Sequence, residues 1–153
     1  MKKLFLFLSL ALFAQAYEPH YKKIEILLGK SYHMDTSYSY ATPATYTALG
    51  FDISMFETNL LFAYRIEHHE LDSTVEYYSD NIMFGYLWSE NLSTHIGYAL
   101  TTVPKLDKRN ISLQMDYGFA FDEDGHFFVI EAMYQRSVID NDHAFFINVG
   151  IKF

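Results

Sequence analysis

From Lys23 onward the chain alternates apolar and polar positions with a period of two, and a helical period of 3.6 is hard to find. Eight such stretches stand out, at 23–32, 46–55, 60–67, 77–88, 94–102, 110–121, 127–136 and 144–153. Most have the length of a tilted membrane-crossing strand, about 9–11 residues. The connections alternate as well. HMDTSYSYATPAT, HHELDSTVE, VPKLDKR and SVIDNDH are long, while FETN, SENLS and DEDGH are short. Short turns on one rim and longer loops on the other are the signature of an up-and-down barrel, and an even strand number places both termini on the short-turn rim.

Alternation alone does not say which face is buried, because a soluble barrel alternates too. The glycines decide. One face carries Ile24, Ile26, Leu28, Phe51, Ile82, Phe84, Ile96, Leu113, Ile130, Val149 and similar bulky residues, with no charge through its middle. The other face holds Gly29, Gly50, Gly85, Gly97, Gly118 and Gly150, with Gly125 left for a turn. Glycines weaken a solvated face without return. They suit the inside of a narrow barrel, where eight strands leave room only for side chains. The bulky face then points outward, where only lipid accepts it. The predicted fold is all-β, an eight-stranded antiparallel up-and-down transmembrane β-barrel.

The start of the chain fits export. Lys2 and Lys3, an apolar run from Leu4 to Phe13 and Ala14-Gln15-Ala16 form the three parts of a signal peptide. The apolar run is too short to span a bilayer as a helix. The expected division is a cleavable leader at 1–16 and one barrel domain at 17–153. Losing Lys2 and Lys3 lowers the basic count from 11 to 9 against 19 acidic side chains, a net charge of −10. That balance argues against nucleic acid as a partner. There is no cysteine, so no disulfide supports the exported chain.

The inner face also carries Glu25, Asp52, Arg65, Glu67, Asn81, His95, Gln114, Asp116, Glu131, Gln135, Asn148 and Lys152. Buried charges need partners. Arg65 and Lys152 are the natural cations for Asp52, Asp116 and Glu131, which defines a structural polar cluster in the lumen. Acidic groups exceed basic ones there, so any leak through the barrel would prefer cations. Tyr32, Tyr46, Tyr64, Tyr77, Tyr78 and Tyr134 are expected in an aromatic girdle at the long-loop rim, and Phe56, Trp88, Phe121, Phe127 and Phe153 in one at the short-turn rim. Lys30 and Arg136 share the outward phase near the long-loop rim, either reaching lipid phosphates or standing as ordinary rim charges.

Candidate chemistry is sparse. Ser93 and His95 share a strand face about 7 Å apart, but no orienting carboxylate stands out in the sequence. No catalytic residue is assigned. His33-Met34-Asp35, Glu67-His68-His69-Glu70-Leu71-Asp72 and Asp140-Asn141-Asp142-His143 offer imidazole and carboxylate in or beside the external loops, without diagnostic spacing. No metal and no cofactor is assigned. The stretch YHMDTSYSYATPATYT, 32–47, is rich in Tyr, Ser and Thr, the residues of adaptable binding loops. Together with 67–76 it is the expected place for an extracellular ligand.

The closing stretch FFINVGIKF alternates to Phe153, with Gly150 three residues before it. This pattern, and the hairpin WSENLSTHIGYAL at 88–100, resembles the small eight-stranded outer-membrane β-barrel proteins of Gram-negative bacteria. The resemblance spans 23–153. It implies location in the outer membrane, contact with its lipids, and a C-terminal signal at Gly150, Ile151 and Phe153 read by the barrel-assembly machinery. Members of that family serve as anchors, adhesins, defence or permeability factors, and a few as lipid-modifying enzymes. Fold does not choose among these roles. The expectation here is a monomer with a filled lumen and a structural or surface-interaction role, adhesin- or defence-like. The alternatives are a narrow cation-preferring channel and an outer-membrane lipid-modifying enzyme.

Overall fold

The computed structural model describes residues 21–34, 42–55, 58–70, 76–101, 109–122, 125–139 and 142–153. The leader at 1–16, Asp35, Phe56, Leu71, Asp72, Asp140 and Asn141 lie outside the described residues, and so do the side chains of His33 and Met34. The elements are β1 (Lys22–Met34), β2 (Thr42–Ser54), β3 (Leu60–Glu70), β4 (Glu76–Ser89), β5 (Leu92–Thr101), β6 (Arg109–Ala120), β7 (Phe127–Ser137) and β8 (His143–Lys152). Each pairs antiparallel with the next, and β8 pairs with β1 to close the barrel. The closing pair runs down to its last bonds, from the Ile24 amide to the Phe153 carbonyl at 2.7 Å and from the Phe153 amide to the Ile24 carbonyl at 2.9 Å.

The register fixes the barrel's shape. A path of paired residues leaves β1 at Ile24, passes Phe51, Tyr64, Ile82, Tyr98, Ile111, Arg136 and His143, and returns to β1 at Met34, a stagger of 10 residues. With a rise of 3.3 Å per residue and strands about 4.8 Å apart, that stagger tilts the strands by roughly 40° and sets a backbone radius of roughly 8 Å. Inward side chains from opposite walls therefore meet. On the outside, Ile111, Leu113, Met115, Tyr117, Phe119 and Phe121 are all exposed. At this tilt they cover a band about 25 Å tall, the height expected of a lipid-facing belt.

The face assignment holds along every strand, with informative departures in the girdles. Tyr46, Tyr77 and Phe127 point inward, not into lipid: Tyr46 is fully buried, Tyr77 stacks on the buried ring of His69, and Phe127 lies against Gly118. Each has the same strand parity as a lumen group (Tyr46 with Asp52, Tyr77 with Asn81, Phe127 with Glu131), and parity overrides the preference of aromatic rings for interfaces. Phe51, Ile53 and Tyr64 keep the outward register but are buried, with Phe62 and Ile66 packed against them. Trp88 is the extra residue where the β4–β5 register shifts, and its indole donates to Thr94 Oγ1 at 2.9 Å.

The strands also run further than the apolar pattern. β1 reaches Met34 and β2 begins at Thr42, with Lys30 opposite Thr45 and Tyr32 opposite Pro43. The stretch 32–47 is thus largely paired strand, with 35–41 between the strands. Likewise β3 continues through Glu70 and β4 starts at Glu76, so 67–76 contains strand at both ends and 71–75 between them. The cause is simple: backbone pairing continues above the lipid belt, where outward residues such as Thr45, Thr47 and His68 are polar and the alternation of hydrophobicity fades. On the opposite rim the connections are tight. Gly125 takes φ +81° in the β6–β7 turn, a conformation that suits glycine.

Candidate functional site: the barrel lumen

The lumen is built in three layers, and the small inward residues make the space. A Cβ on Gly50 would come within 2.8 Å of Glu25 Oε1, one on Gly118 within 3.0 Å of the Phe127 ring, and one on Gly85 within 2.5 Å of the Thr94 carbonyl. Each glycine stands where a neighbouring strand sends a larger group inward.

The middle layer centres on Arg65, which has no exposed surface. Its Nε donates to Glu25 Oε1 at 2.7 Å, its Nη2 lies 2.8 Å from Glu131 Oε2, and its Nη1 donates to the Tyr46 hydroxyl at 3.4 Å. Asn148 Nδ2 donates to the other Glu131 oxygen at 2.6 Å. One guanidinium from β3 thereby ties β1 and β7 across the barrel.

The layer nearer the short turns centres on Lys152. Its ammonium donates to Asp52 Oδ2 at 2.7 Å and Asp116 Oδ2 at 2.8 Å, and it lies 3.3 Å from Glu25 Oε2. Glu25 links the two layers. Gln114 Nε2 and Ser93 Oγ also donate to Asp116, at 2.8 and 3.3 Å. His95 sits between the carboxylates, with Nε2 3.9 Å from Asp52 Oδ1 and Nδ1 3.7 Å from Asp116 Oδ2.

The layer nearer the long loops gathers on Glu67, which accepts from Ser79 at 2.8 Å, Asn81 at 2.9 Å and Gln135 at 3.1 Å. Above Arg65, Tyr46, Phe146 and His69 meet edge to face, with ring centres 5.2–5.6 Å apart. Leu27 and Met133 complete this apolar cap. Polar network and apolar cap together fill the cross-section. Cavities of about 10 and 20 Å³ lie toward the two ends. Each has room for about one water.

The structure thus brings Asp52, Arg65, Asp116, Glu131 and Lys152 into one connected set. Lys152 takes the two aspartates. Arg65 takes Glu131 together with Glu25, a pairing that the sequence did not single out. The sequence also missed the carboxylate beside Ser93 and His95: Asp116 touches both. The order is wrong for a serine nucleophile, because Ser93 donates to the carboxylate and not to the imidazole. Within 67–70 the ligand-type residues divide between the two faces of β3. Glu67 and His69 are buried in the lumen, while His68 points outward, with Nε2 3.3 Å from Glu76 Oε2. His143 lies at the start of β8, its Nδ1 2.5 Å from the Tyr134 hydroxyl. Lys30 is exposed, donates to Thr45 Oγ1 at 3.1 Å and shares the outward side with exposed Arg136. Gly150 faces inward on β8, and Ile151 and Phe153 face outward.

The sequence matches no family model and no curated protein. Solved structures do match. Neisserial surface protein A aligns over 86% of this chain and 95% of its own, with a TM-score of 0.60 and 8% identity. A de novo designed transmembrane β-barrel aligns over 90% and 98%, at 0.54 and 11%. The Yersinia pestis outer membrane protein Ail, solved in a phospholipid bilayer nanodisc, aligns over 87% and 100%, at 0.50 and 14%. The chain therefore has the fold of the small eight-stranded outer-membrane barrels.

Proposed function

We propose that this chain is an integral outer-membrane protein that works as a closed, filled barrel, with a structural or surface-interaction role carried by its external loops. The shared fold and the exposed apolar belt support the location. The observation that carries the filled-lumen reading is the Arg65 brace, which joins three strands across the barrel axis beneath the Tyr46–Phe146–His69 cap. A pore needs mobile water and ions on its axis, and here the axis is occupied by paired side chains. Closure also removes free strand edges, which favours a monomer. The exposed apolar belt supports outer-membrane lipids as the surroundings, and an extracellular ligand would engage the segments 32–47 and 67–76.

Recording in planar bilayers tests this reading. The filled barrel gives no discrete conductance steps. Reproducible cation-preferring steps would overturn it in favour of a narrow channel, the reading favoured by the excess of lumen carboxylates over Arg65 and Lys152. Catalysis has weaker support, since Ser93 is buried and bonded to Asp116. A changed lipid A mass spectrum in cells that produce the protein would revive the enzyme.

A further inference from the structure

The middle layer of the lumen and the layer nearer the short turns together hold an imbalance that their hydrogen bonds leave open. Glu25, Asp52, Asp116 and Glu131 are buried together against two buried cations, Arg65 and Lys152. Counted at their ordinary charges, the group carries a surplus of two negative charges. Within it, both ring nitrogens of His95 and Oδ1 of Asp52 are buried and have no hydrogen-bond partner. Orphaned polar atoms of this kind call for an explanation, such as an ion.

We propose that Asp52, His95 and Asp116 form a buried site for one divalent cation of the zinc class. One ligand atom from each of the three residues lies within 4.8 Å of the other two. His95 Nε2 and Asp52 Oδ1 are 3.9 Å apart. A metal bonded to both at about 2.0–2.2 Å in tetrahedral geometry requires them to close by roughly half an ångström. Imidazole with carboxylate oxygens is a donor set suited to zinc. Asp52 lies against Nε2 of His95 and Asp116 against Nδ1, and one ion bonds a single ring nitrogen. Asp116 Oδ2 already accepts from Lys152 and Ser93, so Nε2 and Asp52 Oδ1 are the leading ligands, and Asp116 turns toward that edge as the third. Gly85 belongs to the same device, because a Cβ there would run into the His95 ring. A dication cancels the surplus charge without displacing Lys152, which keeps its bonds to the Oδ2 atoms.

The test refolds the full barrel in detergent with Zn²⁺ present, removes loose metal by gel filtration, and measures bound zinc. One zinc per chain is expected, with retention falling at least tenfold in His95→Gln and in Asp52→Asn. In parallel, crystals of the unaltered zinc-loaded protein are examined for anomalous scattering, which needs no variant to fold. A peak between Asp52 and His95 supports the site. No retained zinc, equal retention in folded His95→Gln, or a peak only at rim histidines such as His68 or His143 overturns it.

Discussion

Arg65→Met is the sharpest test of how the lumen holds the barrel together. Methionine keeps much of the side chain's bulk and removes the guanidinium. Glu25 then retains Lys152 at 3.3 Å, but Glu131 is left with Asn148 as its remaining donor in the network described above. Removing one partner from a buried ion pair costs about 3–5 kcal/mol, chiefly because the surviving charge stays buried. The folding constant should fall by roughly a hundred- to several-thousand-fold. The reasoning also predicts a rescue. In Arg65→Met/Glu131→Gln the orphaned charge is gone and the amide oxygen still accepts from Asn148, so most of the loss should return. Unfolding in urea from lipid vesicles measures both variants. The single tryptophan, Trp88, is 62% exposed on the outer face and reports loss of the lipid contact. A cost below about 1 kcal/mol for Arg65→Met would refute the claim that this ion pair is desolvated. A double variant no more stable than the single one would refute the orphaned-charge explanation.

Other positions probe the two faces separately. Gly85→Ala should destabilise by about 1–3 kcal/mol through overpacking against the Thr94 carbonyl, seen as a lower urea midpoint; a higher midpoint would remove the close approach from the argument. Met115→Arg places a charge within the apolar belt and should cost up to about 2–4 kcal/mol, read as a reduced heat-modifiable fraction on cold detergent gels; an unchanged fraction would argue against lipid at that face. Phe153→Ala should slow assembly by the barrel-assembly machinery in proteoliposomes while leaving spontaneous folding into detergent nearly intact. Equal slowing in both would assign Phe153 a packing role only.

The eight strands, their faces and the position of every inward glycine were legible because each rests on a period of two, which a single sequence displays directly. Gly50 and Asp52 differ by two, Arg65 and Glu67 by two, and the lumen follows. The departures fall where residue chemistry and strand parity point to different faces. Tyr46 is six residues before Asp52 and so must share its face, yet a tyrosine near a rim suggests a girdle. Phe127, four before Glu131, follows the same rule. An amphipathic ring is at home at either site, so its type carries little information beside its parity. The strands outrun the apolar pattern for a related reason: that pattern reports the lipid belt, while the backbone pairing continues beyond it.

Cross-lumen partners are a different kind of quantity, set by the stagger of the closed barrel and not by the period within a strand. Sequence charge alone paired Arg65 and Lys152 with Asp52, Asp116 and Glu131 as a group. The 10-residue stagger divides that group, placing Lys152 of β8 on aspartates from β2 and β6, and Arg65 of β3 on glutamates from β1 and β7. Glu25 then becomes the hinge of the network, within reach of both cations. His95 meets Asp116 through the pairing of consecutive strands β5 and β6, and closure of the barrel brings Asp52 of β2 to its other side. A shift of two residues in the closing pair would preserve every face and every apolar belt residue. It would still displace the contacts that cross the seam, such as those of Lys152 with Asp52 and Glu25, by about 7 Å and leave charges unpaired in a low-dielectric interior. The lumen network therefore discriminates against a shifted closing pair that would satisfy the lipid equally well.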